Sequence, residues 1–370
     1  MNKAQSMFLQ LRNTKGIIYL DGAAEGLLPE IVLERLKLFN TSEQNPLSSI
    51  NHRIIKLMGR KFRSVYFFNT LENGISTIFD HFKLDESFLA LVDQGIPDSV
   101  IIEPYAKKIQ LLVPSEEGNI DLSQIPSRIE EKQMLVLLNQ IDPLRGTERN
   151  IQDLEKGLTI QAEADNKEIF IIVEGSLAFG LGLPACSCDL YLLSFQAIFG
   201  LPGYACFCSD KLHSLITRIS NEQKPLQGQM ATQLPSLSLH IFAEFSNYLN
   251  ELRDGLIPDI NHPESSVSDM VQYFLDNFCG GIGWRICFFS KERGLIFLEG
   301  PDDQCQNISL QLKDYGVIHS FGTLSEMKYS KLTEKNLNLE KKLLRFSIQW
   351  YNSVEEIQKL CTLLKLLIRR

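Results

Sequence analysis

The stretch Leu193-Ser194-Phe195-Gln196-Ala197-Ile198-Phe199-Gly200-Leu201-Pro202-Gly203 decides how this 370-residue chain is read. It joins two strand-like runs, residues 189–194 and 204–208. Ser194 before its centre and Gly200 and Gly203 after it fix the frame of the segment. The residue within that frame, Ala197, has a one-carbon side chain with no nucleophilic or titratable group.

Working outward, continuous apolar runs at residues 65–68, 134–138 and 169–173 suit a central parallel sheet covered on both faces. Ile17-Ile18-Tyr19-Leu20 is a further short strand. Residues 29–39 carry Ile31, Leu33, Leu36 and Leu38 at helical spacing, and residues 73–82 read as a helix. This β-α order predicts an α/β domain. Pro and Asp residues within 256–263 suggest a hinge. The chain is thus expected to divide into a large α/β domain, residues 1–255, and a smaller α+β domain, residues 256–370. Apolar segments follow at 285–289, 295–298, 309–312, 316–319 and 344–348, then an amphipathic helix at about 353–368. Ser353 is placed to cap that helix, with Glu356 three residues on as the second half of a capping box.

Composition bounds the function. Hydrophobic residues make up 44% and charged residues 22%, as in soluble globular proteins. The net charge of -8, without a basic stripe, excludes nucleic acid as an expected partner. No apolar run is long enough to span a membrane. The polar start lacks the apolar core of a secretory signal, so the protein reads as cytoplasmic. Its eight cysteines then read as thiols and not as a disulfide framework.

Four segments carry a family pattern. They are Ile18-Tyr19-Leu20-Asp21-Gly22-Ala23-Ala24; Val173-Glu174-Gly175-Ser176-Leu177-Ala178-Phe179-Gly180; the segment around Ala197; and Leu344-Arg345-Phe346-Ser347-Ile348 with Tyr351-Asn352-Ser353-Val354-Glu355-Glu356-Ile357. In order, they resemble the Y-L-D-N/H-A-A, V-D-A-A/G-Q-x-x-G, S-G/S-H-K-x-x-G-P-x-G and R-x-S-x-x-x-Y-N-T-x-E-E-I/V motifs of class V aminotransferases and cysteine desulfurases. These are fold type I enzymes that use pyridoxal phosphate. The resemblance implies a large domain with a mostly parallel seven-stranded sheet and a C-terminal α+β domain. It also implies a homodimer, or a heterodimer with an active homologue.

The same resemblance implies a role for each matching position. The Schiff-base lysine falls on Ala197. The nearest lysines in sequence, Lys211 and Lys224, lie past the next strand; a slip in the alignment is the competing reading. The acid that pairs with the pyridine nitrogen falls on Glu174, longer than Asp by one bond of roughly 1.5 Å. Alternatively, Glu174 is a strand-end carboxylate facing water. The ring-oxygen donor falls on Leu177, which cannot donate. The phosphate turn falls on Asn69-Thr70-Leu71-Glu72, with Leu71 in place of a donor threonine; Asn69 and Thr70 otherwise serve as helix caps. Ser194 and Gln196 retain donors, leaving a vestigial cofactor set of Glu174, Ser194 and Gln196. The window for the ring-stacking histidine, residues 92–100, holds no histidine or aromatic residue. Residues 316–327, which match the desulfurase cysteine loop, hold no cysteine. Arg345 occupies the carboxylate-binding position, where a planar guanidinium suits bidentate contact. Its alternative is a pairing with a structural acid such as Asp21 or Glu25.

The chain so described is a lysine-less pseudoenzyme with no catalytic residue and no covalently held cofactor. It would bind a small carboxylate or amino-acid-like ligand through Arg345, or support a catalytic partner subunit. The alternative is an aminotransferase or lyase that holds pyridoxal phosphate noncovalently. A separate pattern is the two C-x-C pairs, Cys186 with Cys188 and Cys206 with Cys208. In the implied fold their strands are antiparallel neighbours, which would bring four sulfurs together as in a zinc site. The spacing is tighter than the usual C-x2-C, and cysteine is a common core residue, so no metal is expected.

Overall fold

The computed structural model describes residues 16–22, 26–37, 55, 58, 61–82, 88–96, 106, 108–180 (apart from 116, 127, 129, 132 and 144), 185–199, 203–214, seven positions between 241 and 251, 267–323 apart from 292, 327, and 341–368 apart from 350. The expected domain boundary near residue 255 lies outside them. The chain enters through β1 (Ile18–Tyr19) and α1 (Glu30–Lys37).

The central sheet then forms from β2 (Ser64–Phe68), β3 (Phe88–Asp93), β4 (Lys108–Leu112), β5 (Gln133–Asn139), β6 (Glu168–Glu174), β7 (Leu190–Ser194) and β8 (Tyr204–Cys208). Their order is β2-β8-β7-β6-β5-β3-β4. From β4 across to β7 every pairing is parallel, and β8 runs antiparallel to both of its neighbours. The expected mixed but mostly parallel seven-stranded sheet is therefore what the chain builds. Side chains alternate between two cores: Leu89 and Leu91 go to one, Phe88, Ala90 and Val92 to the other. On one face α2 (Leu71–Phe82) contributes Ile75, Ile78 and Phe79. On the other, α3 (Ile151–Ala164) contributes Ile151, Leu154, Leu158 and Ala162, spaced as a helix stripe. Two one-turn helices follow strand ends: α4 (Ser176–Gly180) after β6 and α5 (Phe195–Phe199) after β7.

The C-terminal unit opens with α6 (Val267–Asn277). Its sheet takes β9 (Arg285–Ser290) and β10 (Leu295–Glu299), then, beyond α7 (Asp302–Asp314) and β11 (Val317–Ile318), β12 (Ser320–Thr323) and β13 (Lys342–Ser347). These four strands pair antiparallel in the order β12-β13-β10-β9, and α8 (Val354–Ile368) closes the chain. Residues 309–312, grouped by sequence with the short apolar segments, lie inside α7. Cys305, Ile308, Ser309 and Leu312 are its buried residues, a period of three to four.

The N-terminal segment belongs to this second core. β1 pairs parallel with β11, and Ile18 and Leu20 are buried beside Phe346 and Ile348. Ser347 N–H donates to Leu20 O at 2.7 Å, and Asn352 Nδ2 donates to Tyr19 O at 3.0 Å. Among the described residues no helix is long and apolar enough to cross a membrane.

The capping box is built as expected. Glu356 N–H donates to Ser353 Oγ at 3.3 Å, and Ser353 N–H donates to Glu356 Oε2 at 3.0 Å. α8 supplies Ile357, Leu360 and Leu364 to the core, so its first turn carries weight. Ser353→Ala is expected to cost about 1 kcal/mol. Urea denaturation should read this as a lower midpoint with an unchanged slope.

Candidate functional site at the carboxyl ends of the strands

Open parallel sheets bind ligands outside the carboxyl ends of their strands, where the winding reverses. β3 leads outward to β4, whereas β5 leads the other way to β6. The reversal thus lies between the ends of β3 and β5, and the ends of β6 and β7 follow beside it.

At the end of β6, Glu174 turns its carboxylate onto the next loop. It accepts from Ser176 N–H at 3.1 Å and from the Ser176 hydroxyl. Ser176 Oγ also accepts from Ser194 N–H at 2.6 Å. One serine thereby ties the ends of β6 and β7 together. Burial raises the Glu174 carboxyl above its ordinary value, opposed by both Ser176 hydrogen bonds. Between them Gly175 is obligatory: a Cβ there would lie 1.9 Å from Tyr191 Cζ. The Tyr191 hydroxyl is itself committed, donating to Gln140 Oε1 at 2.6 Å.

Beyond β7, Ser194 Oγ accepts from Ala197 N–H at 3.4 Å and so starts α5. Ala197 is partly exposed and Gln196 exposed. The Gln196 carbonyl accepts from Gly26 N–H at 3.2 Å. Phe195 turns away into the core, stacked on Phe242 with centroids 4.6 Å apart. The side chain of Phe199, and residues 200–202, lie outside the described residues. Leu177 packs against Leu295, Phe297 and Leu343 of the C-terminal sheet. The position that the resemblance assigns to a ring-oxygen donor thus forms an apolar seam between the two units.

Lys211 sits at the far end of β6, donating to Ile169 O at 2.5 Å with its ammonium over the Phe170 ring. Five residue-to-residue steps along the strand, roughly 17 Å, separate Ile169 from Glu174. Lys224 lies outside the described residues, as does Glu25. At the turn before α2, Thr70 Oγ1 accepts from Asn73 N–H at 3.2 Å and caps the helix; the side chains of Leu71 and Glu72 are outside the described set.

Arg345 is buried at 5% exposure in β13. Its Nη2 donates to Ser320 Oγ at 2.6 Å and to Asp21 Oδ1 at 3.3 Å. Asp21 also accepts from the Ser320 hydroxyl. The guanidinium therefore sits in an internal triad with the acid of the Tyr19-Leu20-Asp21 segment.

A cluster that the sequence reading passed over lies at the winding reversal itself. Asp93, the last residue of β3, is fully buried, and Arg149 binds it through both Nε and Nη2 at 3.1 Å. Arg149 Nη2 also meets Asp142 Oδ2 at 2.9 Å, and Arg145 Nη1 meets the same oxygen at 3.3 Å. Asp93 further accepts from Gly95 N–H at 3.0 Å and Asn139 N–H at 3.2 Å. Two acids and two arginines balance in charge. The available signal was the polar run Asn139-Gln140-Ile141-Asp142-Pro143 to Arg149 directly after an apolar strand.

The cysteine pairs do not converge. Cys206 and Cys208 belong to one core face of the sheet, Cys186 and Cys188 to the other. Burial raises the thiols of Cys188, Cys206 and Cys208. Among the described residues no group of His, Cys, Asp or Glu is arranged to hold a metal.

A mostly parallel seven-stranded sheet with this strand order, followed by an antiparallel C-terminal sheet, is the architecture of the fold type I pyridoxal-phosphate enzymes. No protein-family profile matches the chain, and no curated protein matches it. The similarity is one of structure. The cysteine desulfurase CsdA (S-sulfonic acid) from Escherichia coli superposes with a TM-score of 0.75 at 15% identity, over 99% of this chain and 97% of that one. A NifS-like protein from Rickettsia africae gives 0.69 at 15% identity, over 96% of this chain and 100% of that one. A SepCysS–SepCysE N-terminal domain complex gives 0.67 at 14%, over 96% and 95%. At such identities the likeness establishes the fold.

Glu174 gives this site a pH signature. Its carboxyl is raised when folded, so it destabilises the fold once the unfolded chain ionises and the folded chain does not. The cost begins as the pH rises through the ordinary value of 4.5 and is complete above the folded value. Glu174→Gln keeps an acceptor for Ser176 and removes the charge. Its stability relative to the parent, from urea denaturation, is expected to be lowest near pH ~4 and to grow towards pH ~7.

Proposed function

We propose that this chain is a non-catalytic relative of the class V pyridoxal-phosphate enzymes, working as a supporting subunit beside an active homologue. The observation that carries the reading is Ala197 at the start of the turn after β7, with Lys211 held at the opposite end of β6. A covalently anchored pyridoxal phosphate does not fit these residues. Ala197 offers no amine, Leu177 no donor, and Glu174 is directed onto Ser176 instead of outward.

Arg345 favours the supporting role over ligand binding. A carboxylate ligand there would compete with Asp21 and Ser320, which already take its Nη2. Exchanging an internal acid for an external one gains little while still costing the ligand its translational freedom. A noncovalent cofactor site made by Glu174, Ser194 and Gln196 is less favoured, since the Glu174 carboxylate already accepts from Ser176 and Ser194 N–H already donates to Ser176 Oγ.

Purified protein incubated with pyridoxal phosphate, reduced with borohydride and mapped by peptide mass spectrometry tests the reading. No pyridoxyl-lysine peptide is expected above the level of an unrelated control. One stoichiometrically labelled lysine would overturn it.

A further inference from the structure

We infer that residues 140–149 form an electrostatic strap that locks the C-terminal unit onto the winding reversal of the central sheet, closing the crevice between β3 and β5. The strap begins at the fully buried Asp93–Arg149 pair. From Arg149 the contact passes to Asp142, and from Asp142 to Arg145. The Arg145 guanidinium then lies over the ring of Phe288 on β9, 5.7 Å from its centroid. Charge thus runs without a break from the last residue of β3 to a strand of the other unit.

The strap's own backbone makes the second contact. It is folded back on itself by an Ile141–Glu148 bridge, by Asp142 N–H to Thr147 O at 2.8 Å and by Gly146 N–H to Asp142 O at 2.7 Å. At its tip Gly146 has φ +67°, and a Cβ there would lie 2.5 Å from Ser290 Oγ. Arg293, in the turn after β9, reaches back to Gly146 O at 3.4 Å and to Glu148 at 3.8 Å. Leu177 against Leu295, Phe297 and Leu343 lies along the same junction.

The lock has a definite physical form. A bidentate carboxylate–guanidinium pair fixes geometry more than it adds stability, because desolvation offsets much of its attraction. Breaking one side leaves a buried uncompensated charge, so the pair cannot open by small steps. A hinge motion between the units would have to strip Arg145 from Phe288 and Arg293 from Gly146 together. The two units therefore move as one body, and the reversal point is filled by the protein's own ions.

Native-state hydrogen exchange of the full chain tests this. The double variant Arg145→Ala with Arg293→Ala removes the arginine contacts across the seam and leaves the Asp93–Arg149 pair intact. It is expected to speed exchange at Asp142, Gly146 and β9 by about tenfold or more, with β5 and β6 unchanged. Phe288→Leu keeps an apolar contact but removes the ring face, and should speed the same amides to a smaller degree. Unchanged exchange in both variants, or a uniform increase across the whole central sheet, would overturn the strap. Neither outcome touches the lysine test above, which reads a different group.

Discussion

The Asp93–Arg149 pair is the constraint from which the rest of the site takes its geometry. Both side chains are fully removed from water. A lone carboxylate at that depth would be very costly, and here it is met by a two-pronged guanidinium and by two backbone N–H groups. One of those N–H groups belongs to Gly95, just past β3, and the other to Asn139 at the end of β5. The carboxylate therefore sets the relative height of the two strand ends. Arg149 then fixes where α3 begins, because its own N–H donates to Gln140 O at 2.8 Å and Ile151 opens the helix two residues later.

The neighbouring strand ends are set by a different kind of contact. Ser176 holds Glu174 and Ser194 by hydrogen bonds. Burial raises the Glu174 carboxyl, and the Ser176 hydroxyl and N–H, by donating to it, offset part of the shift. The two halves of the carboxyl-end rim thus use unlike solutions. β3 and β5 are joined by paired full charges, β6 and β7 by a shared hydroxyl. Gly175, against the Tyr191 ring, lets these halves meet, since Tyr191 reaches Gln140 across β6.

Much of the fold was legible in the sequence because its signals are local. The apolar runs of β5 and β6 mark strands buried on both faces, and the capping box at Ser353 and Glu356 is a four-residue pattern. At the site, the sequence pattern around Ala197 marks only the strand–turn–strand frame that β7, α5 and β8 build. The Asp93 cluster was not, because its partners stand 46 and 56 residues apart and no short pattern links them. Nothing in the sequence of β3 or α3 advertised that an acid at one strand end would meet an arginine just before a helix. The cysteine pairs, for which no metal was expected, take opposite faces for a local reason. Cys186 and Cys188 precede β7, which begins at Leu190, so strand alternation does not govern the face they take. Residues 309–312 misled because a four-residue window is too short to separate a helical stripe from a strand.

Leu177 shows how an apolar residue and the surface it meets support one another. An exposed leucine in an open, wet cleft would gain nothing from its apolar surface, and a polar donor there would be the stable choice. Against Leu295, Phe297 and Leu343, with Phe288 alongside, the same leucine removes apolar area from water on both units. That burial needs the C-terminal sheet to stay in place, and the strap from Asp142 through Arg145 to Phe288 holds it there. The apolar contact in turn excludes water from the junction and strengthens the cation–ring attraction at its edge. Each contact is individually modest in energy, and each requires the same closed relation between the units. An open cleft would forfeit all of them at once.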